Sequence, residues 1–304
     1  MVPAKTRTVQ GTWPEKAYKN LSFLTSPDAR TLRVLSEFLE PAARFRKYNV
    51  RHTVVFFGSA RLPSPETARE TLERMKAEAA AADGQGSRIS RGLRKRLKAA
   101  ERDMDLSRYY QDAAALAEKI TRWSMTIREQ ERWFHVCSGG GGGIMEAANR
   151  GASRAGGRSI GLNISLPHEQ EANRYQTREL SFEFHYFFAR KFWFFYLAKA
   201  LVAFPGGYGT LDELFELLTL VQTRKTRKVM PIVIYGKEYW DRVLNLQALA
   251  DAGTISPQDL KIFRFFDDVD SAFEYLKGEL TRHYLRGPAP EDPLFPNHAL
   301  AHPT

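Results

Sequence analysis

Leu201-Val202-Ala203-Phe204-Pro205-Gly206-Gly207-Tyr208-Gly209-Thr210-Leu211-Asp212-Glu213 is the stretch on which the fold turns. Four apolar residues halted by proline and glycine describe a short buried strand. Leu211, Leu214, Phe215, Leu218 and Val221 then recur at helical spacing, so a glycine-rich turn joins the end of a strand to the start of a helix. Bare glycine amides let a ligand sit against the backbone, and Thr210 is a candidate cap for the helix that follows. The first N–H groups of such a helix, with its positive dipole end, attract phosphate. The turn has no lysine of the Walker A kind, so nucleotide hydrolysis of that type is not expected.

The same grammar recurs upstream. Trp133 to Cys137 is an apolar run followed by Ser138 and five glycines, Gly139 to Gly143, and Ile144 to Arg154 has helical spacing. Thr53 to Phe57 is another buried strand, stopped by Gly58-Ser59. Arg158–Leu162, Phe182–His185 and Pro231–Ile234 read as further strands. Helices are expected at about Ser107–Trp123, Ala189–Lys199, Tyr239–Asp251 and Phe273–Leu285. Strands alternating with helices imply an α/β fold, a Rossmann-like doubly wound parallel sheet covered on both faces. Ligands of such sheets bind at the carboxyl ends of strands where the strand order reverses, and both glycine-rich turns fall at such ends.

Around that domain, residues 51–285, lie three additions. Residues 1–50 form a helical extension, in which Ser26-Pro27-Asp28 caps an amphipathic helix carrying Leu32, Leu35 and Leu39 and ended by Glu40-Pro41. Residues 62–105, rich in Ala, Glu, Lys and Arg, form a basic helical insertion with a break at Asp83 to Gly86. Residues 286–304 are a proline-rich tail. Between Ser87 and Arg102 stand seven cations, Arg88, Arg91, Arg94, Lys95, Arg96, Lys98 and Arg102, against Glu101 alone, which reads first as a solvated face.

The 304 residues carry 45 Lys and Arg against 35 Asp and Glu, a formal charge of +10 that favours anionic partners. No run of about 18 apolar residues exists to span a membrane. Met1 to Thr12 lacks the apolar segment of a secretory signal. Cys137 is the lone cysteine, so no internal disulfide can form; a reducing cytoplasm is the expected compartment and an inert core thiol the expected role. The seven histidines are scattered without ligand spacing, and no G-x-S-x-G nucleophile turn follows a strand. No metal and no cofactor are expected, and no lysine is singled out for a Schiff base.

The pattern P-G-G-x-G-T-x-x-E over Pro205 to Glu213 resembles the signature of the Lonely Guy (LOG) family of cytokinin-activating phosphoribohydrolases, often labelled lysine decarboxylases. Phe57-Gly58-Ser59-Ala60-Arg61 resembles the family's first strand and loop, and Ser138 to Arg150 its second glycine loop and helix. Ala189-Arg190-Lys191 matches its Arg-Lys pair, with Arg190 preceding Glu213 by 23 residues. The likeness covers residues 50–285 outside the insertion and is nearest to the longer bacterial members.

It implies hydrolysis of the N-glycosidic bond of a purine nucleoside 5′-monophosphate, AMP or a cytokinin riboside 5′-monophosphate, giving free base and ribose 5-phosphate. Glu213 and Arg190 would be catalytic. A carboxylate beside C1′ stabilises an oxocarbenium-like sugar and orients or deprotonates water. Arg190 would hold the substrate through paired hydrogen bonds or stacking. Gly58, Ser59, Gly139, Gly140, Gly141, Lys191, Gly206, Gly207, Gly209 and Thr210 would bind it. Arg61 and Glu146 are further candidate contacts, Asn149 and Arg150 structural ones, and Asp212 a surface acid. The resemblance also implies a homodimer or larger homo-oligomer, through an aromatic helix carrying Phe187, Phe188, Phe192, Trp193, Phe194, Phe195 and Tyr196 that is apolar nearly all round. Neither a membrane nor nucleic acid is expected as partner. Two other readings stand beside this one: a carrier such as the molybdenum-cofactor carriers, with a similar loop and no need of a carboxylate at C1′, and a nucleic-acid-associated protein working through the basic insert.

Overall fold

A computed structural model describes residues 13–84, 89–166, 171–226 and 228–286 of the chain. Seven strands form one sheet: His52–Phe57 (β1), Phe134–Ser138 (β2), Ser159–Ile164 (β3), Ser181–Phe184 (β4), Ala198–Ala203 (β5), Ile232–Tyr235 (β6) and Phe263–Phe266 (β7). All neighbours pair in parallel, in the order β4-β3-β2-β1-β5-β6-β7. The chain runs outward from β1 to β4, then crosses back to β5 on the other side of β1. The strand order therefore reverses between β1 and β5, which opens a crevice at their carboxyl ends.

Helices follow in chain order: Leu21–Leu24 (α1), Arg30–Lys47 (α2), Pro65–Gly84 (α3), Arg91–Leu106 (α4), Arg108–Ser124 (α5), Ile144–Arg154 (α6), Phe187–Tyr196 (α7), Tyr208–Gln222 (α8), Lys237–Val243 (α9), Leu246–Asp251 (α10) and Val269–Leu280 (α11). Successive strand side chains point to opposite faces, and here both faces are dry. Val55 and Phe57 of β1 join a core with α2, α7, α8 and α9. Val54 and Phe56 join a second core with α5, α6 and α11. The doubly wound arrangement follows from central strands that are buried at every position, so both faces need a covering layer of helices.

The extension departs from expectation in an instructive way. Pro41 does not end α2 but lies buried inside it. A proline there cannot donate to the carbonyl of Glu37, which would leave that oxygen orphaned. Trp193 of α7 supplies the missing proton, its Nε1–H donating to that carbonyl at 2.9 Å. The Glu37 carboxylate in turn accepts the backbone N–H groups of His185 and Tyr186 at the entry to α7. Contacts from another element thus carry the helix through its proline. The face that docks is Pro41, Ala42 and Phe45, while Leu32, Leu35 and Leu39, the expected core stripe, remain exposed.

Two expected helices also change. The aromatic helix ends at Tyr196, and Lys199 belongs to β5. It is not buried all round: Trp193 and Phe194 are in the core, whereas Phe187, Phe188 and Phe192 are exposed. The helix expected over Tyr239–Asp251 is two, parted where Asn245 caps α10 through the N–H of Ala248. Strand β7, an unanticipated edge strand, completes the sheet. Insertion helices α3 and α4 pack on each other around Met75, Ala79, Leu93 and Ala100. The tail over 287–304, the segment Met1 to Thr12 and most of the expected break after Asp83 lie outside the described residues. Among the described residues no helix is long and apolar enough to cross a membrane.

Candidate active site

A cleft of about 770 Å³ occupies the crevice, walled by the loops that leave β1, β2 and β5 and by the first turns of α8. The β1 and β5 loops are stitched together at its base, where the N–H of Ser59 donates to the carbonyl of Pro205 at 2.9 Å. The carbonyl of Ser59 accepts from Ile144 at the start of α6. Its hydroxyl accepts the N–H of Arg61 at 3.1 Å, and that bond leaves the hydroxyl proton uncommitted. Gly58, Ser59 and Arg61 all line the cleft.

Helix α8 begins earlier than its sequence suggests. Gly207, not Thr210, is the N-cap residue, and no side chain caps the helix. The amides of Tyr208, Gly209 and Thr210 therefore lie in the first turn, where an α-helix offers them no carbonyl partner. Thr210 instead packs its hydroxyl beneath Gly206, where any Cβ would stand 2.1 Å from it and 3.0 Å from the amide of Ser59. Only glycine permits that approach, which brings the two loops close enough to share a ligand. Gly206, Gly207, Gly209 and Thr210 all face the cleft, and the hydroxyl of Tyr239 donates to the carbonyl of Gly206 at 2.8 Å to fix the turn.

Glu213 lies one turn further along α8, nearly buried at 6% exposure. Its Oε2 is shut off from solvent and has no hydrogen-bond partner. Burial pushes its pKa up to about 7, and the nearby charges of Arg190 and Lys191 only partly offset that. Arg190, on α7, is anchored by Nε–H donation to the carbonyl of Leu162 at 2.7 Å and lies over the ring of Phe194. Burial lowers its pKa, Glu213 opposes that, and a guanidinium stays charged. Among the described residues no ion pair within 4 Å joins the two side chains. A buried acid and a half-buried cation thus share the cleft without an ion pair, which is costly in an empty site and useful in one that fills with a reacting group.

Gly139 completes this wall. A Cβ there would lie 2.5 Å from Nη2 of Arg190 and 2.6 Å from Sδ of Met145. The next two glycines turn away. The carbonyl of Gly140 accepts from the backbone and side chain of Asn173 and from Gln176, and that of Gly141 from Asn173. Gly140 and Gly141 therefore shape the loop and do not line the cleft. Lys191 does not line it either: its ammonium bridges Asp212 at 2.8 Å and Glu216 at 2.7 Å on the solvent side of α8. Burial works to lower the Lys191 pKa, but those two carboxylates outweigh it and the net shift is upward.

The remaining expectations fall as follows. Glu146 accepts the hydroxyl of Tyr110 at 2.7 Å, off the cleft. Asn149, fully buried, accepts from Ser138 and Asn173 and donates to the carbonyl of Ile160. Arg150 lies over the rings of Tyr110 and Tyr175. Cys137 is buried and burial pushes its thiol pKa upward, so it is no nucleophile. Among the described residues no group of three or more His, Cys, Asp or Glu side chains is placed to hold a metal ion. Sequence reading did not anticipate an apolar side of the cleft, formed by Ile164, Leu166, Phe187 and Val243. These come from three separate segments, and only the topology brings them together.

A family model described as "Possible lysine decarboxylase" matches residues 145–276. The chain is 37% identical over 65 residues to cytokinin riboside 5′-monophosphate phosphoribohydrolase LOG7 of Arabidopsis thaliana, 21% of this chain and 30% of that protein. It is 29% identical over 135 residues to the probable cytokinin riboside 5′-monophosphate phosphoribohydrolase LOGL5 of Oryza sativa subsp. japonica, 43% of this chain and 54% of that protein. The matches thus span between about a third and about half of these relatives' lengths. Among solved structures, the molybdenum cofactor carrier protein of Chlamydomonas reinhardtii aligns at 20% identity with a TM-score of 0.39, over 57% of this chain and 89% of that one.

Proposed function

We propose, on the premise that this chain belongs to the Lonely Guy (LOG) family, that it hydrolyses the N-glycosidic bond of a purine nucleoside 5′-monophosphate. What supports the reading above all is Glu213: a buried carboxyl group with one oxygen unpartnered, one turn beyond a set of open helix-terminal amides. An anion seated on those amides would be the substrate's phosphate. The ribose then extends along α8, and its C1′ comes opposite Glu213. The base rests against Ile164, Leu166, Phe187 and Val243.

The C1′–N bond breaks with its electron pair leaving on the base, and positive charge spreads over C1′ and the ring oxygen. The Glu213 carboxylate stabilises that charge and takes a proton from the water that attacks C1′. The departing base takes up one proton from solvent, Glu213 releases to solvent the one it took from water, and the sugar leaves as ribose 5-phosphate. Arg190 orients the substrate from the opposite wall through the N–H groups not used on Leu162. A general base works best with a pKa near the working pH, and a value of about 7 meets that demand. The same proposal carries a homodimer through the exposed Phe187, Phe188 and Phe192.

A Schiff-base lysine needs a depressed pKa to be a free amine, whereas Lys191 is held as an ammonium between two carboxylates. The decarboxylase description therefore finds no support in this lysine.

The experiment is a comparison of AMP and adenosine as substrates, with free adenine quantified by chromatography. Phosphate on the α8 amides is the handle that positions C1′, so AMP is expected to be cleaved with kcat/KM at least about 10²-fold above adenosine. Equal rates would contradict the phosphate seat. Binding of AMP without any base release, from AMP or from its N6-alkylated relatives, would favour a carrier.

A further inference from the structure

Helix α4 of the insertion carries charges in the reverse of the order that helix stability favours. Its first turn holds no acid, and its N-terminal half presents Arg91, Arg94, Lys95 and Lys98, all exposed. Its acids, Glu101, Asp103 and Asp105, all follow near the C-terminal end. Cations beside the positive end of the helix dipole, and acids beside the negative end, both destabilise it. Residues 91, 94, 95 and 98 are also mutual neighbours at spacings of three and four, so they fall within one sector of the helix and repel one another.

No ion pair among the described residues relieves this repulsion. Among the described residues, Arg96 pairs with Glu78 and Arg102 with Asp103, but Arg91, Arg94, Lys95 and Lys98 form no ion pair. Ser90 offsets part of the cost by accepting the N–H of Leu93 as N-cap. The helix is held in place from its other side, where Leu93, Leu97 and Ala100 pack into the small core shared with α3.

We propose that this half of α4 is a docking surface for the phosphate backbone of a duplex nucleic acid. Four unpaired cations spaced over about 10 Å of a straight helix match a surface with one negative charge per about 1.7 Å of axis. The alternatives fit less well. An acidic bilayer is gripped by basic helices that also insert an apolar face, and the apolar face of α4 is already spent within the hairpin. Single strands are held by stacking on aromatic rings, and α3 and α4 contain none. No Asn or Gln stands among the four cations to read base edges, so recognition would be independent of sequence. Sequence composition had pointed to a merely solvated face; the helix boundaries and the absence of partners are what change the reading.

The test uses the full chain, a labelled duplex of 20–25 base pairs (about two helical turns) and fluorescence anisotropy across a salt series. Binding is expected to weaken with salt along a log–log slope of about −3 to −4, the value for about four phosphate contacts. Arg91→Gln/Arg94→Gln/Lys95→Gln/Lys98→Gln should lose at least tenfold in affinity and most of that slope, with an unchanged or raised melting temperature because repulsion is removed. The control Arg128→Gln/Lys225→Gln/Arg242→Gln/Lys261→Gln removes the same charge from exposed positions elsewhere and should bind as the parent does. The proposal is overturned if the α4 variant binds like the parent, or if the control loses as much. It is equally overturned if phosphatidylserine vesicles, and not the duplex, show the dependence on these four residues. Adenine release from AMP by the α4 variant reads the cleft separately, so failure of one proposal is distinguishable from failure of the other.

Discussion

Glu213→Gln is expected to slow base release by about 10³-fold while binding of the nucleoside monophosphate is kept or tightened. Glutamine fills the same volume, so the packing of α8 against α7 and β1 is undisturbed. What disappears is a negative charge opposite C1′ and the buried proton acceptor that the cleft places one turn beyond the phosphate seat. Losing that charge also removes its repulsion from the phosphate, so affinity should not fall. Isothermal titration with AMP and single-turnover assays separate the two effects. A rate within tenfold of the parent would remove Glu213 from the chemistry.

The same variant has a thermodynamic signature. The folded-state pKa of Glu213 is raised to about 7 from an ordinary value of 4.5. A raised carboxyl pKa means that the native state binds the proton more tightly than the unfolded chain. Its stabilising effect is fully present below pH 4.5 and is lost as pH climbs through 7, and by pH 8 the charged carboxylate costs the fold about 3 kcal/mol relative to an unshifted group. Glu213→Gln should therefore melt several degrees above the parent at pH 8, with the difference shrinking towards zero at pH 5. A gap that is constant with pH, or that reverses, would mean that the carboxylate is not the buried unpaired group described. An enzyme that is less stable for keeping its acid is the expected trade at a working site.

Arg190→Ala is expected to be nearly as damaging, about 10²- to 10³-fold in kcat/KM at pH 7, and to act in two ways. Substrate loses the guanidinium opposite Glu213, and Glu213 loses a positive neighbour that holds its pKa down. The acidic limb of the pH–rate profile should consequently move upward, towards pH 8. Arg190→Lys is the informative companion. It retains a positive charge but cannot both donate to Leu162 and lie flat over Phe194, so the limb should stay near that of the parent while the rate remains low. Full activity in the lysine variant would mean that charge alone is needed.

The parts of this molecule that were legible in its sequence are those set by short-range rules. Apolar runs stopped by glycine at Phe57, Cys137 and Phe204 marked three strands at the centre of the sheet, and their order around the switch point placed the cleft. Glu213 and Arg190 were legible for a different reason: the resemblance to the Lonely Guy (LOG) family, whose signature acid and Arg-Lys pair fall at these positions. What the sequence concealed depends on contacts between distant segments. Pro41 reads as a helix end until Trp193, 152 residues later, supplies the hydrogen bond. Lys191 neighbours Arg190 along the chain, yet residues adjacent on a helix diverge by about 100°, so one faces the cleft and the other the acids of α8. Gly140 and Gly141 resemble their neighbour Gly139, and only Asn173 and Gln176 show that they turn elsewhere. Strand β7 was hidden because Phe263–Phe266 is only four residues long, carries the charged Arg264 among its phenylalanines and lies at the sheet edge.

A crystal structure of Glu213→Gln with AMP bound would test the central claim most directly. The phosphate should lie within about 3 Å of the amides of Tyr208, Gly209 or Thr210, and C1′ should face the carboxamide at position 213 across the space of one water. A nucleotide bound the other way round, with its base on the glycine turn and its C1′ remote from residue 213, would contradict it.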